Sequence, residues 1–201
     1  VVYLHEKDNF VKEIHQQFRN NLQFINSLLK IRNNITGEGQ LKADYQKFEN
    51  IIKCLSFAYD DNNSGMGKNN VNFKNFAGQL LIYIEDFCKL AQRKIMLIND
   101  IEEHSIPTGT AVKAGILINE LVVNSCQKSL EGESSGKINV KFYAQNGLYS
   151  LAVNDNGKSI YENYNKNEQA ELLMIKNLCE HLRAEVNVSY NNGNEFAAVF
   201  E

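Results

Sequence analysis

Two apolar seams of helical period occupy the first third of this 201-residue chain and limit what it can become. In the first, Val11, Ile14, Phe18, Leu22, Ile25 and Leu29 recur at steps of three and four. In the second, Leu41, Tyr45, Phe48, Ile52, Leu55 and Tyr59 do the same. The spacing averages about 3.5 residues, the period of a bundle or coiled-coil seam. Asn33–Gln40, with Gly37 and Gly39, is the loop expected between the two helices. Two helices of this length cannot enclose a core alone. Pairing two hairpins into a four-helix bundle would do so and predicts a homodimer. An intramolecular bundle, or a helix pair laid on a second domain, meets the same need.

The rest of the chain has a mixed pattern. Asp60–Asn70 (DDNNSGMGKNN) is polar and Gly-containing, and it is the expected boundary between a helical hairpin at 1–62 and a second domain at 70–201. Beyond it, Phe76, Leu80, Ile84, Phe87 and Ala91 predict a helix, Lys94–Ile98 a strand, and Thr110–Leu130 a long buried helix. Lys137–Ala144 and Leu148–Asn154 alternate as strands around Gln145-Asn146-Gly147, a hairpin turn. Glu168–Leu182 reads as a helix, and Glu185–Tyr190 with Glu195–Phe200 as a last hairpin. The expected class is α+β, a helical hairpin followed by a sandwich with helices on one face of a mixed sheet.

Composition removes several functions. Net charge is -3, and the 21 Lys and Arg residues are scattered, so the basic stripe of a nucleic-acid binder is missing. Apolar residues make up 43%, enough for a buried core. The longest uncharged apolar runs, Gly115–Ile118 and Gln79–Ile84, are far too short to cross a bilayer, so no membrane contact is expected. Cys54, Cys88, Cys126 and Cys179 lie far apart without metal spacing, and read as reduced, mostly buried thiols of a cytoplasmic protein. The opening Val1-Val2, without Met, reads as the interior of a helix, and the expectation is an excerpt from a longer chain.

His15 follows Ile14 and so flanks the first seam, where a solvent-facing imidazole can act as a nucleophile and form a covalent phosphoryl intermediate. By itself it would be an ordinary surface histidine. Its surroundings, Lys12-Glu13-Ile14-His15-Gln16-Gln17-Phe18-Arg19-Asn20-Asn21-Leu22-Gln23, resemble the phosphoacceptor box E-I-H-H-R-x-K-N-N-L-Q of a subfamily of bacterial two-component histidine kinases. Gln16 and Gln17 depart from that pattern, which weakens basic help beside the acceptor. Ile116-Leu117-Ile118-Asn119-Glu120-Leu121-Val122-Val123-Asn124-Ser125 resembles the N box of the same family, L-I-x-N-E-L-V-x-N-A. Val153-Asn154-Asp155-Asn156-Gly157 resembles its D-x-G-x-G box, and Gly193-Asn194-Glu195-Phe196 its closing G-T-x-F element. Alone, each of the last two would be a turn signal. The four occur in the family's order and span nearly the whole chain.

The resemblance implies a transmitter core with His15 as phosphoryl carrier and a receiver-domain Asp as partner. It implies ATP and Mg²⁺ as cofactors, with Asp155 accepting from the adenine amino group, Gly157 beside it, and Glu120 and Asn124 near the metal, Asn124 as its ligand. Other departures fall at the phosphate end of that site. Ser159 replaces the second Gly of the D-x-G-x-G box, Gln127 stands where a Lys is usual, and Glu171 where a Gly opens the next helix. Arg183-Ala184 replaces a Gly pair, and no Gly occurs between Gly157 and Gly193. Such glycines let backbone N–H groups approach phosphate closely. The expected activity is histidine phosphotransfer with weakened or lost ATP use, a pseudokinase. A working autokinase is the alternative, and a non-catalytic dimeric scaffold a third.

Overall fold

A computed structural model of the chain describes residues 50–58, 70–160 and 170–201. Most of the expected helical hairpin, the boundary at 59–69 and the segment 161–169 lie outside these residues.

The described chain is α+β, as its pattern predicts. Short strand β1 (Asn70–Asn72) leads into α1 (Phe73–Cys88), then β2 (Ile95–Ile101), β3 (Ser105–Pro107) and α2 (Thr108–Asn124). Strands β4 (Gly136–Gln145) and β5 (Leu148–Asp155), helix α3 (Ala170–Leu182), and strands β6 (Glu185–Tyr190) and β7 (Asn194–Phe200) complete it. Five strands form one mixed sheet in the order β2-β4-β5-β7-β6, while β1 and β3 pair separately. Only β2 and β4 run parallel, with Ile95 opposite Gly136; the other pairs of the large sheet are antiparallel.

The β4–β5 hairpin turns through Asn146 and Gly147, both at positive φ (55° and 81°), the geometry that sets a two-residue loop matching strand twist. Along β4 the buried residues are Ile138, Val140 and Phe142, and along β7 Asn194, Phe196, Ala198 and Phe200. This period of two means that one sheet face is buried. Phe73, Phe76, Leu80 and Ile84 of α1, and Leu172, Ile175, Leu178 and Leu182 of α3, supply the helical half of the core. The rings of Phe73 and Phe142 lie 4.1 Å apart between α1 and the sheet.

Capping explains where the helices stop. Asn72 Oδ1 accepts from the Asn75 N–H at 3.1 Å and starts α1. Lys89, at φ 53°, ends it: its N–H donates to Asp86 O while that of Leu90 donates to Glu85 O. Arg183, also at φ 53°, ends α3 through the same pair of bonds to Glu180 O and Cys179 O. Both are Schellman motifs built without glycine, so the Arg183-Ala184 departure leaves the turn intact.

Helix α2 is central. Every residue from Ala114 to Asn124 is buried, and the helix runs on into a wider π turn over Ser125–Ser129, closed by the Leu130 N–H donating to Ser125 O at 2.9 Å. The long helix expected at Thr110–Leu130 is thus two windings, and the wide one falls beside the candidate site.

Residues 50–58 are helical. Ile51, Cys54 and Ala58 are buried, and Tyr83 of α1 donates its hydroxyl to Asn50 Oδ1 at 2.8 Å. The second seam lies on a neighbouring face: Ile52 is 46% exposed and Leu55 half-buried. The fully buried contacts of this helix with the α/β body are thus made beside the seam, while Leu55 of the seam packs partly against the same core.

Candidate nucleotide-binding site

Strand β5 ends on Asp155, β7 begins on Asn194, and the π turn brings Ser125 and Ser129 to the same corner. The carboxylate of Asp155 is buried among four donors. Oδ2 accepts from the Ser125 hydroxyl at 2.6 Å. Oδ1 accepts from the Ser129 hydroxyl at 2.5 Å, the Gly157 N–H at 2.9 Å and Asn194 Nδ2 at 2.9 Å. A buried carboxylate is tolerable only when its lone pairs are satisfied, and here most of them are. A carboxylate offers about four acceptor positions, so the vacant direction is on Oδ2.

Asn194 braces this corner. Its Nδ2 also lies 2.8 Å from Lys158 O and 2.9 Å from Ser129 Oγ, and its Oδ1 accepts from the Ile160 N–H at 3.0 Å. One carboxamide thus joins the start of β7, the turn after β5 and the turn after α2. Close approach is what demands glycine at two points. A Cβ at Gly157 would overlap Ser129 Oγ and the Ser129 carbonyl, whose oxygen accepts from the Lys158 N–H at 3.0 Å. A Cβ at Gly193, where φ is 151°, would overlap the Asp155 carbonyl oxygen.

The sequence-predicted residues are distributed as follows. Asp155 and Gly157 are in direct contact, and Asn124 precedes Ser125, so these share one corner. Glu120 lies one turn back along α2, nearly fully buried, with Asn119 Nδ2 at 3.4 Å from its Oε1. His15 lies outside the described residues. Ser125 and Asn194 fall inside the N box and the closing element, but their part in holding Asp155 is visible only in three dimensions. Ser129 had no signal in the sequence, because a π turn delivers it.

The donor chemistry suits a purine at one end and a hard cation at the other. The open side of Asp155 Oδ2 can accept one amino N–H. Along α2, Asn119 Oδ1, next to Glu120, is buried without a hydrogen-bond partner among the described residues. Acceptor oxygens in excess of donors are what a cation satisfies. Among the described residues no three His, Cys, Asp or Glu side chains cluster for a metal. Glu120 and Asn124 could hold Mg²⁺ only in company with phosphate oxygens and water, its usual manner of binding.

Burial sets the thiol chemistry around the site. It pushes the Cys54 thiol well up, and the charge of Glu120 adds to the effect. Cys179 of α3 is pushed up to about 12 by burial and by Glu180. At the other end of the sheet, where β5 begins and β7 ends, a cleft of about 540 Å³ is lined by Lys113, His181, Arg183 and Phe200. Its Lys113 ammonium is lowered by burial, then by Arg183. None of the nucleotide-site residues lines it. Among the described residues no helix is long and apolar enough to cross a membrane.

Residues 13–88 match the family model described as Histidine kinase. A curated relative, Blue-light-activated histidine kinase 2 of Erythrobacter litoralis, is 21% identical over 191 residues, 92% of this chain. The chain spans about half (54%) of that relative's length. The solved histidine kinase domain of the Erythrobacter litoralis EL346 blue-light activated kinase superposes with a TM-score of 0.68 at 17% identity, over 86% of this chain and 92% of that one. The Acinetobacter baumannii histidine kinase AdeS does so with 0.54 at 15% identity, over 92% and 96%. At these identities the structures show the fold alone. Motifs, family model and fold together support a two-component sensor histidine kinase transmitter domain.

Proposed function

We propose that this chain is a transmitter core in which His15 carries a phosphoryl group exchanged with a receiver-domain Asp, and in which the grip on the ATP triphosphate is weakened. The hairpin at 1–62 pairs with that of a second copy, and 70–201 is the ATPase-like domain. In the transfer from a receiver, an imidazole nitrogen of His15 attacks phosphorus, the N–P bond forms, the acyl phosphate P–O bond breaks, and the Asp carboxylate leaves. The reverse transfer runs through the same bonds. The half-exposed Ile52 supports the pairing, since it leaves an apolar side chain of the second seam in reach of another helix.

The observation that carries weakened ATP use lies in the sequence between Gly157 and Gly193. Glycines that let backbone N–H groups approach phosphate are absent there: Glu171 stands where the resemblance leads one to expect a Gly, and no glycine stands between 157 and 193. A carboxylate close to a triphosphate costs about a few kcal/mol in a partly desolvated site. That corresponds to roughly a hundredfold or more in affinity.

A second reading, a working autokinase, is favoured by the intact purine corner: Asp155 keeps one acceptor direction open, and Gly157 keeps Ser129 close. When bound, Mg²⁺ would neutralise phosphate charge, and Glu120 and Asn124 are the residues to hold it. Titration of a fluorescent ATP analogue with and without Mg²⁺ separates the two. A dissociation constant well above the micromolar range supports the first reading; micromolar binding with rapid labelling of His15 supports the second. A dimer whose His15 accepts phosphate from neither ATP nor a receiver is a scaffold.

A further inference from the structure

Asn146, Asn156 and Asn192 each precede a glycine. At such a step the glycine nitrogen can reach the asparagine side-chain carbonyl, because no Cβ stands in the way. The fold treats the three steps differently. Asn156 Oδ1 accepts from the Lys137 N–H at 2.7 Å, and the Gly157 N–H donates to Asp155 Oδ1 at 2.9 Å. Electrophile and nucleophile are thus both held, and Gly157 is wedged against Ser129. Asn146 and Gly147 are exposed at the tip of the β4–β5 hairpin. Asn192, at φ 53°, is exposed in the turn between β6 and β7, where no hydrogen bond holds its carboxamide among the described residues.

We infer that Asn192 is a site of spontaneous deamidation to isoaspartate, which loosens the turn resting on Asp155. The Gly193 nitrogen attacks Asn192 Cγ, the new C–N bond closes a succinimide ring, and ammonia leaves with the Gly193 amide proton. Water then adds to one of the two ring carbonyls, and the ring C–N bond at that carbonyl breaks. Opening at the main-chain carbonyl routes the backbone through the former side chain, which adds one methylene and frees a carboxylate. Overall one water is consumed and one ammonia released. The turn has little room for the insertion. The Asn191 N–H donates to Gly193 O at 3.0 Å, and Tyr190 pairs with Asn194. Gly193 lies so close to the Asp155 carbonyl that even a Cβ would overlap it. A longer backbone before Gly193 therefore displaces Asn194, whose carboxamide bonds Asp155, Ser129 and Lys158. Asn146 meets the same chemistry, but at the start of β5, the end of the strand away from Asp155.

Neither the reaction nor its effect on the turn depends on the nucleotide-site reading above. The test is peptide mapping with isoaspartate detection on the whole chain, held folded at mildly alkaline pH beside the same chain unfolded in urea. In the folded chain Asn192 should convert, and Asn156, with two hydrogen bonds to break first, about tenfold or more slowly. In urea the two should convert alike. Asn192 left intact in the folded chain, or Asn156 keeping pace with it there, would overturn the assignment. Hydrogen exchange over 155–160 should quicken in the aged wild type. It should stay unchanged in aged Asn192→Gly, which suits the positive φ and cannot close the ring, although Asn146 ages alike in both. Unchanged exchange in wild-type chains that carry isoaspartate at 192 would overturn the coupling to Asp155, whether or not ATP binds.

Discussion

The Ser129 hydroxyl donates to Asp155 Oδ1 across 2.5 Å, joining the turn after α2 to the end of β5. The same hydroxyl accepts from Asn194, so its removal leaves a buried carboxylate and a buried amide each short of a partner. Ser129→Ala should therefore cost about 1–3 kcal/mol of stability. In a chain of this size that is about 2–4 °C in Tm per kcal/mol. Thermal or urea unfolding reads it.

Gly157→Ala tests the close approach at the same corner. The added Cβ meets both the Ser129 side chain and its carbonyl, and backbone cannot step aside as a flexible side chain can. A loss of about 1–3 kcal/mol or more is expected. Whatever ATP-analogue binding the wild type shows should fall at least severalfold. Unchanged stability and binding would show that the two turns can separate freely.

Much of this fold was legible because local chemistry and tertiary structure agree. Asn146-Gly147 announced the β4–β5 hairpin, and period-two alternation gave both strands with nearly their observed ends. The pair β1–β3 was not legible, since three residues per strand are too few to alternate. In the site, Asp155 and Gly157 could be read from their motif. Ser129 could not, because its position depends on the wide winding after Asn124, which no apolar period encodes. Asn194 was visible as a motif position but not as the brace between three turns.

The buried thiols predict an alkaline weakness. The Cys179 thiol is raised from 9.0 to about 12 in the folded chain, so between those values the unfolded chain releases a proton that the folded chain keeps. Unfolded molecules then hold fewer protons, and stability falls as pH rises above 9. The limiting slope is about 1.4 kcal/mol per pH unit per thiol. Cys179→Ala should flatten the decline by up to that amount, read by urea unfolding across pH 8–11.

Ile52 tests the pairing of hairpins. It is 46% exposed in the single chain, on the face that carries the second seam. Ile52→Glu should weaken self-association by about tenfold or more, equivalent to at least 1.4 kcal/mol. The α/β body should unfold as before, because Ile51, Cys54 and Ala58, with Leu55 and Phe57 beside them, pack against its core and Ile52 does not. Sedimentation equilibrium gives the first quantity and thermal unfolding the second.

The chain has four histidines, His5, His15, His104 and His181, of which His15 alone sits in the phosphoacceptor-like box. The direct measurement is site mapping of phosphohistidine after incubation with receiver domains charged by a small phosphodonor. Phosphate is expected on His15 alone, absent from His15→Gln, and returned to a receiver when fresh unphosphorylated domain is added. Phosphate on another side chain, or a folded wild-type protein that takes none from either charged receivers or ATP with Mg²⁺, would contradict it.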